Sequence, residues 1–337
     1  MPEKAPTIKE IARLLGISPS AVSRALHDHP SIGAKTRKRV QELAIELNYI
    51  PNQTALYFKE GKTKTVGVVL PYLGEEFFSK AISSMEDVAL NNGYTVLMGQ
   101  SRDNMERERL VISAMTKHRV DGLIVSVAKD THDFAYFEDL RHYHIPLVFF
   151  DRIPPMNGIS FVRCNLKKGA EDAVNLLISR GHTRIGLLNG PGVLTASLER
   201  QEGYNTALES HQLKPDKELI KCSSLDSAST ELAVKELLAV KDRPTAIIIF
   251  NDYVALDAIQ YIKNRNLVIN KDITIVSFAN ISMNHYLNDS PIASVEQFPG
   301  KQGEKAMELL FELLNNKNRD QPLQYIVNSR LVLHEKI

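Results

Sequence analysis

From Val66 onward, short apolar runs alternate with amphipathic helical stretches, and this alternation restricts the fold more than any other feature of the chain. The runs are VGVVL (66–70), TVLMG (95–99), GLIV (122–125), PLVFF (146–150), RIGLLN (184–189), AIIIF (246–250) and TIVSF (274–278). Helical patterns such as Glu75–Leu90 and Leu166–Arg180 stand between them. Near-continuous apolar strands separated by helices predict parallel sheets covered on both faces. The pattern runs twice, with a break near residues 160–165, which predicts two doubly wound α/β lobes. Late strands near 292–296 and 325–334 are expected to cross back. One lobe would then combine about 66–162 with 294–322, and the other about 163–293 with 323–337.

A chain of 337 residues with 43% hydrophobic and 24% charged residues can build several ordinary globular cores. Its two cysteines, Cys164 and Cys222, lack paired spacing, which speaks for a reducing compartment and against a cysteine metal site. The N-terminal stretch MPEKAPTIKEIARLLG lacks the apolar core of a signal peptide. No apolar run approaches the roughly 20 residues that span a bilayer. The expected address is the cytoplasm, with no membrane partner. The net charge of +1 is unevenly spread: residues 1–64 carry eleven Lys/Arg against six Asp/Glu, a surplus of +5. The remainder, with thirty against thirty-four, carries −4. A basic head on a mildly acidic body suits a polyanionic partner, although a solvated basic face has the same composition.

Three helices are expected in that head. Thr7 and Glu10 form a capping-box pattern ahead of Ile8, Ile11, Ala12 and Leu15, which fall on one helical face. Gly16 can take the left-handed conformation that ends the helix. Ser18 is a natural N-cap, and Pro19 fits the first helical position because its missing N–H would have no partner there. Val22, Ala25 and Leu26 would be buried, with Pro19, Ser20, Ser23, Arg24 and His27 facing out. A third helix, about Ala34 to Leu47, carries Val40, Leu43, Ala44 and Leu47 in register and Lys35, Arg37, Lys38 and Arg39 near its start. Helix, short glycine turn, helix is the helix-turn-helix pattern, whose second helix can enter the major groove. A small protein-binding three-helix domain would read similarly.

The stretches TIKEIARLLGISPSAVSRAL, TRKRVQELAIELNYIPN and GKTKTVGVVLP resemble the start of the LacI/GalR family of bacterial transcription regulators, and the similarity runs nearly to the end of the chain. The resemblance implies an N-terminal all-α helix-turn-helix domain (1–50), a hinge (51–65) and a two-lobed domain like periplasmic binding proteins (66–337). It makes Pro19, Ser20 and Arg24 base-facing. Arg24 alone among them can fork onto guanine O6 and N7. Thr7, Ser18, Ser23 and Thr36 could reach phosphates through hydroxyls and helix N-termini, although simple capping accounts for each as well. The resemblance also implies a hinge wedge in the central minor groove at Phe58, where the family usually has leucine. Apolar wedges kink DNA by unstacking a base step. Leu56 and Tyr57 add apolar surface nearby, and packing of Phe58 on the body is the plainer alternative. Gly61-Lys62-Thr63 looks like the end of a phosphate-binding loop, but Leu56 stands where that motif needs glycine, and the segment precedes a strand.

Ligands of doubly wound sheets sit beyond the carboxyl ends of the strands. Those ends offer Pro71-Tyr72, Gln100-Ser101, Ser126, Asp151-Arg152, Gly190, Asn251-Asp252 and Ala279-Asn280. Such polar groups with aromatic walls suit a sugar, sugar derivative or nucleoside better than a lipid. A strand-end Asp or Asn taken singly is more often a helix cap. The resemblance selects Arg200, Asn251, Asp252, Gln297 and Asp151 as effector-binding positions. PYLGEEFF adds Tyr72, Glu76, Phe77 and Phe78 at the first strand end. Ser126 and Asn280 complete the expected set. One departure stands out: Ala279 occupies the position where the family usually has an Asp that holds a ligand hydroxyl pair. Either Asn280 takes over that role, or the ligand lacks the pair.

Nothing in the pattern calls for catalysis. His132, His142 and His144 lack metal-ligand spacing on one face, and neither a Gly-x-Ser-x-Gly elbow nor a glycine-rich dinucleotide loop is present. The expectation is therefore no enzyme, no cofactor and no metal. It is instead a regulator, most simply a repressor, bound to double-stranded operator DNA in the bacterial nucleoid. No heptad tail follows LHEKI, so a homodimer is expected rather than a tail-linked tetramer. A solute-binding receptor, or an enzyme carrying a DNA-binding head, are the rival classes. The basic head and the missing signal peptide speak against the first, and a turnover assay would separate the second.

Overall fold

The computed structural model describes residues 6–49, 61–316 and 321–334. The chain divides into two compact units, Met1–Thr63 and Lys64–Ile337.

The first unit contains α1 (Ile8–Leu15), α2 (Pro19–Leu26) and α3 (Ala34–Glu46). The Thr7 hydroxyl accepts from the Glu10 amide at 3.3 Å and starts α1. Gly16, at φ 65°, ends it, and the Ile17 amide turns back to Ala12 O at 3.0 Å. Ser18 caps α2 by accepting from the Ala21 amide at 3.2 Å, with Pro19 at the first helical position. Ile11, Ala12, Val22, Ala25, Val40 and Ala44 are buried together, with Leu15, Ile17, Leu26 and Leu43 packed against them. The helical periodicity of the sequence thus becomes one small core shared by three helices.

The second unit holds two six-stranded sheets. The first contains β1 (Thr65–Leu70), β2 (Thr95–Gln100), β3 (Gly122–Val125), β4 (Leu147–Phe150), β5 (Ser160–Cys164) and β11 (Gln324–Val327), in the order β11-β5-β4-β3-β1-β2. The second contains β6 (Ile185–Asn189), β7 (Ile220–Cys222), β8 (Ala246–Ile249), β9 (Thr274–Phe278), β10 (Ala293–Glu296) and β12 (Arg330–Leu333), in the order β12-β10-β9-β8-β6-β7. Every pairing is parallel except the antiparallel β10–β12 pair. The first sheet is covered by α4 (Glu76–Asn91), α5 (Met105–Lys117), α6 (Ala135–His142) and α11 (Pro299–Asn315). The second is covered by α7 (Leu166–Ser179), α8 (Thr195–Ser210), α9 (Ser227–Ala239) and α10 (Asp252–Lys263). Strands β3, β6, β8 and β9 are buried along their whole length, as strands covered on both faces must be.

The chain passes between the lobes three times, and two passages differ from the expected positions. β10 belongs to the second sheet and β11 to the first, so these crossings fall at 297–298 and 328–329 rather than near 294 and 322–323. Apolar spacing marks a strand but not the sheet it joins. Here Val327 is buried in the first core, and the Asn165 amide donates to its carbonyl at 2.9 Å. The Ser329 hydroxyl in turn donates to Asn165 O at 3.0 Å, tying two crossings together. Phe298 turns the other crossing at φ 52°.

Candidate DNA-reading helix and ligand cleft

On α2, Pro19, Ser20 and Arg24 are exposed and Ser23 is half-buried. Arg24 is drawn back along its helix: Nε donates to Ser20 O at 3.3 Å and Nη1 to Ser31 Oγ at 3.4 Å. Ser31 is itself braced by His29, whose Nδ1 accepts from the Ser31 amide at 3.2 Å. Arg24 thus stands at the surface in one direction with Nη2 unpartnered among the described residues. The support from His29 and Ser31 has no counterpart in the sequence motif, because a loop that returns beside a helix leaves no periodic trace. Thr7 uses a lone pair for capping, which leaves its hydroxyl proton free to donate, whereas Ser18 both caps α2 and shares a 2.9 Å hydrogen bond with Ser20 Oγ. Thr36 lies half-buried in the first turn of α3. Beside it Arg37 is committed to Asp28 at 3.5 Å and Ile32 O at 3.2 Å, whereas Lys35 and Arg39 are exposed. Phe58 lies outside the described residues.

The two lobes meet across the carboxyl ends of their sheets. Arg200, on α8, is buried, with its guanidinium 4.2 Å from the Phe250 ring centroid and 4.4 Å from that of Phe278. Its Nη1 donates to Ala196 O at 3.0 Å, and its Nε is buried without a partner. Burial lowers its pKa to about 10, while Asp151 works in the opposite direction. Asp151, at the end of β4 with φ 60°, is half-buried. Burial pushes its carboxyl up to about 6, against the pull of Arg152 and Arg200. Arg152 forms a buried ion pair with Asp103, which also accepts from the Lys129 amide at 3.0 Å. Ser126, at the end of β3, is fully buried and its hydroxyl has no partner. Glu75, at the N-cap of α4, makes no capping bond, and burial raises its pKa although Arg152 lies near.

The remaining expected residues divide. Asn251 caps α10 by accepting from the Val254 amide at 2.9 Å through Oδ1, which leaves its Nδ2 for another partner. Gln297 is buried at a crossing between the lobes. Tyr72 is exposed, its hydroxyl 3.5 Å from Arg102 O. Phe77 packs into the first core, its ring stacked 6.0 Å from Phe150.

Two of them do other work. Asp252 is wholly buried and accepts from Ser277 Oγ, from Ser294 Oγ at 2.7 Å and from the Ile281 amide at 2.8 Å. Its carboxylate braces α10 against β9 and β10 rather than meeting a ligand, because facing the cleft would strand three donors. Asn280 donates to Glu296 at 2.8 Å and shares a 3.1 Å contact with His334 Nε2. Its amide is therefore not free to replace the carboxylate missing at Ala279, a residue at φ 92°.

Contacts that join the lobes lie around this interior. The Glu76 carboxylate accepts from the Ser282 amide at 2.9 Å and the Ser282 hydroxyl at 2.8 Å. The Glu76 amide donates to the Tyr253 phenol oxygen at 3.0 Å. Thr195 Oγ1 donates to Ile153 O at 2.9 Å, and Lys129 Nζ to Ser224 O at 2.5 Å. These bonds connect the two lobes. A small recess lies at their junction, lined in part by Thr131, Phe134, Arg152, Val193 and Thr195. Among the described residues no group of three or more His, Cys, Asp or Glu is placed to hold a metal ion, and no helix is long and apolar enough to cross a membrane.

Glu75, Asp103, Phe250 and Phe278 are site residues that the sequence did not single out. Phe250 and Phe278 end apolar strands and read as core. Position beside Asn251 and Ala279 at strand ends was the available signal.

Comparison with known proteins agrees with this architecture. Residues 7–52 match the profile of "Bacterial regulatory proteins, lacI family", and residues 63–335 match "Periplasmic binding proteins and sugar binding domain of LacI family". The HTH-type transcriptional repressor PurR of Vibrio atlanticus (strain LGP32) is 29% identical over 314 residues, 93% of each chain. A putative ribose operon repressor from Burkholderia thailandensis superimposes with a TM-score of 0.73 at 28% identity, over 81% of this chain and 100% of that one. The lac repressor dimer bound to operator and the anti-inducer ONPF has a TM-score of 0.84 at 22% identity, over 98% of both chains, a likeness of fold.

Proposed function

The chain belongs to the LacI family of bacterial regulatory proteins and is a ligand-responsive, DNA-binding transcriptional regulator; on that premise we propose that it is a homodimeric repressor controlled by a small polar metabolite between its lobes. Each head reads one half of a pseudo-palindromic operator, matching the two-fold symmetry of the dimer. Arg24 supplies the sequence-reading contact, Pro19 and Ser20 read shape or methyl groups, and Thr7, Ser18, Ser23 and Thr36 contact phosphates. Phe58 is the minor-groove wedge. The metabolite meets Arg200, Asp151, Ser126, Asn251 and Gln297, with Tyr72 and Phe77 at the first strand end. The partner copy covers the free edge at β2, where Leu97, Met98, Leu90 and Leu110 are exposed.

The observation that carries this reading is the interior of the closed lobes. It keeps Arg200 Nε and Ser126 Oγ buried and unpartnered, in a chain whose head presents an exposed arginine on its second helix. Buried polar atoms are ordinarily satisfied, so such exceptions ask for a ligand. The decisive measurement selects duplexes from a randomised pool with the full chain and then titrates salt. A selected palindrome with a steep salt slope is expected. Arg24→Ala should cost about 1–3 kcal/mol of discrimination at one base per half-site. Phe58→Ala should weaken the selected duplex far more than a random one. Equal affinity for selected and random duplexes in the unaltered protein would remove the reading.

A further inference from the structure

We propose that the effector carries a positively charged amino group, received between the carboxylates of Glu75 and Asp151. The inference deepens the proposed function and rests on the cleft being the effector site.

Glu75 follows β1 and Asp151 follows β4, with Ser126 at the end of β3 between them in the sheet order. Neither carboxylate has a hydrogen bond or an ion pair among the described residues, and Glu75 does not even cap its own helix. Both are half-buried, and the fully buried acids of this protein are all served. Asp103 has Arg152 and the Lys129 amide. Glu108 has the Ala128 amide, Thr131 and Tyr136. Asp252 has Ser277, Ser294 and the Ile281 amide. Two idle carboxylates beside a fully buried, unpartnered Ser126 hydroxyl are therefore exceptional here.

Charge narrows the ligand class further. Of the two nearby cations, Arg152 is consumed by Asp103, and Arg200 lies against two phenyl rings. The group Glu75, Asp103, Asp151, Arg152 and Arg200 holds three negative and two positive charges, a net −1 inside a closed interior. Burial and mutual repulsion both push the Glu75 carboxyl up, and burial does the same to Asp151. A phosphate or carboxylate ligand would add like charge. A neutral polyol would fill the hydrogen bonds and leave the charge. An ammonium supplies donors and countercharge together. Arg200 Nε remains to donate to a ring or hydroxyl oxygen of the same molecule.

The test uses the full chain with two matched probe sets, read by thermal shift and titration calorimetry. One set is D-glucosamine, D-glucose and D-gluconate. The other is 5′-amino-5′-deoxyadenosine, adenosine and adenosine 5′-monophosphate. At least one amine is expected to bind about tenfold more tightly than its neutral match, with the advantage lost in Glu75→Gln. Ligand-free Glu75→Gln should also melt higher than the unaltered protein at pH 8, because a carboxylate whose desolvation outweighs the pull of Arg152 is gone. A neutral or anionic probe binding as well as its amine overturns the proposal, as does a lower melting temperature for Glu75→Gln. If no probe of any charge binds, it is the reading of the cleft as a sensor that fails, and the melting comparison still decides the charge inference.

Discussion

Arg200 sits under two opposing demands. Burial disfavours its charge, while the faces of Phe250 and Phe278 and the carboxylate of Asp151 favour it. The compromise leaves the Nε–H buried and unspent, which is what a binding residue needs and a structural one avoids. Arg152 is the contrast, because its pair with Asp103 closes its account within the first lobe. Arg200→Ala is expected to abolish the effector-dependent change in operator affinity, while ligand-free affinity stays within about twofold. Fluorescence anisotropy with and without effector checks this, and an effector response that survives in the variant would place the pocket elsewhere. Arg200 was legible because its surrounding stretch is shared with the family. Asp252 and Asn280 looked equally good on paper. Their commitments to Ser277, Ser294, Glu296 and His334 arise from strands far apart in the chain, and no local pattern records such partners.

At the level of elements, the two lobes share one packing device. Gly303 of α11 lies so close to α4 that a Cβ would stand 2.2 Å from Ala81 O. Gly203 of α8 has the same relation to Lys167 O of α7. Backbone against backbone leaves no side chain to move aside, so any substitution must push the helices apart. Gly303→Ala should destabilise by about 1–3 kcal/mol, a fall in melting temperature of several degrees by calorimetry. An unchanged melting temperature would mean that the helices are not held this closely. The helices, their caps and the fully buried strands were readable from periodicity, since burial on one or both faces writes itself into spacing. The crossings at 297–298 and 328–329 were not, because β10 and β11 are equally apolar in either sheet.

For the molecule as a whole, Glu76 links closure to pH. Burial raises its carboxyl, but hydrogen bonds from Lys80 and Ser282 outweigh that and hold it below the usual range. Its folded pKa is thus depressed, so the latch contributes above the ordinary carboxylate pKa and is lost as pH falls through the lowered value. Asp151 runs the other way: raised from 3.8 to about 6, it costs stability above pH 6 and releases that cost as pH falls towards 3.8. Melting temperatures of the unaltered protein should therefore rise from pH 8 towards pH 5, and Asp151→Asn should flatten that rise. A flat profile in the unaltered protein would contradict a desolvation of Asp151 that outweighs the pull of Arg152 and Arg200. Glu76→Ala should loosen closure, seen as a larger radius of gyration in X-ray scattering and weaker effector binding. An identical scattering profile would show that Glu76 does not hold the lobes.

Periodicity, caps and composition were enough to establish two α/β lobes behind a basic three-helix head, because each of these depends on neighbours within a few turns of chain. Which strand ends stay unpaired, which acids find donors, and where three passages knit the lobes together were settled in three dimensions alone. Those outcomes depend on groups hundreds of residues apart, such as Glu76 and Ser282, meeting across a closed interior where every unmatched charge or hydrogen bond has a cost.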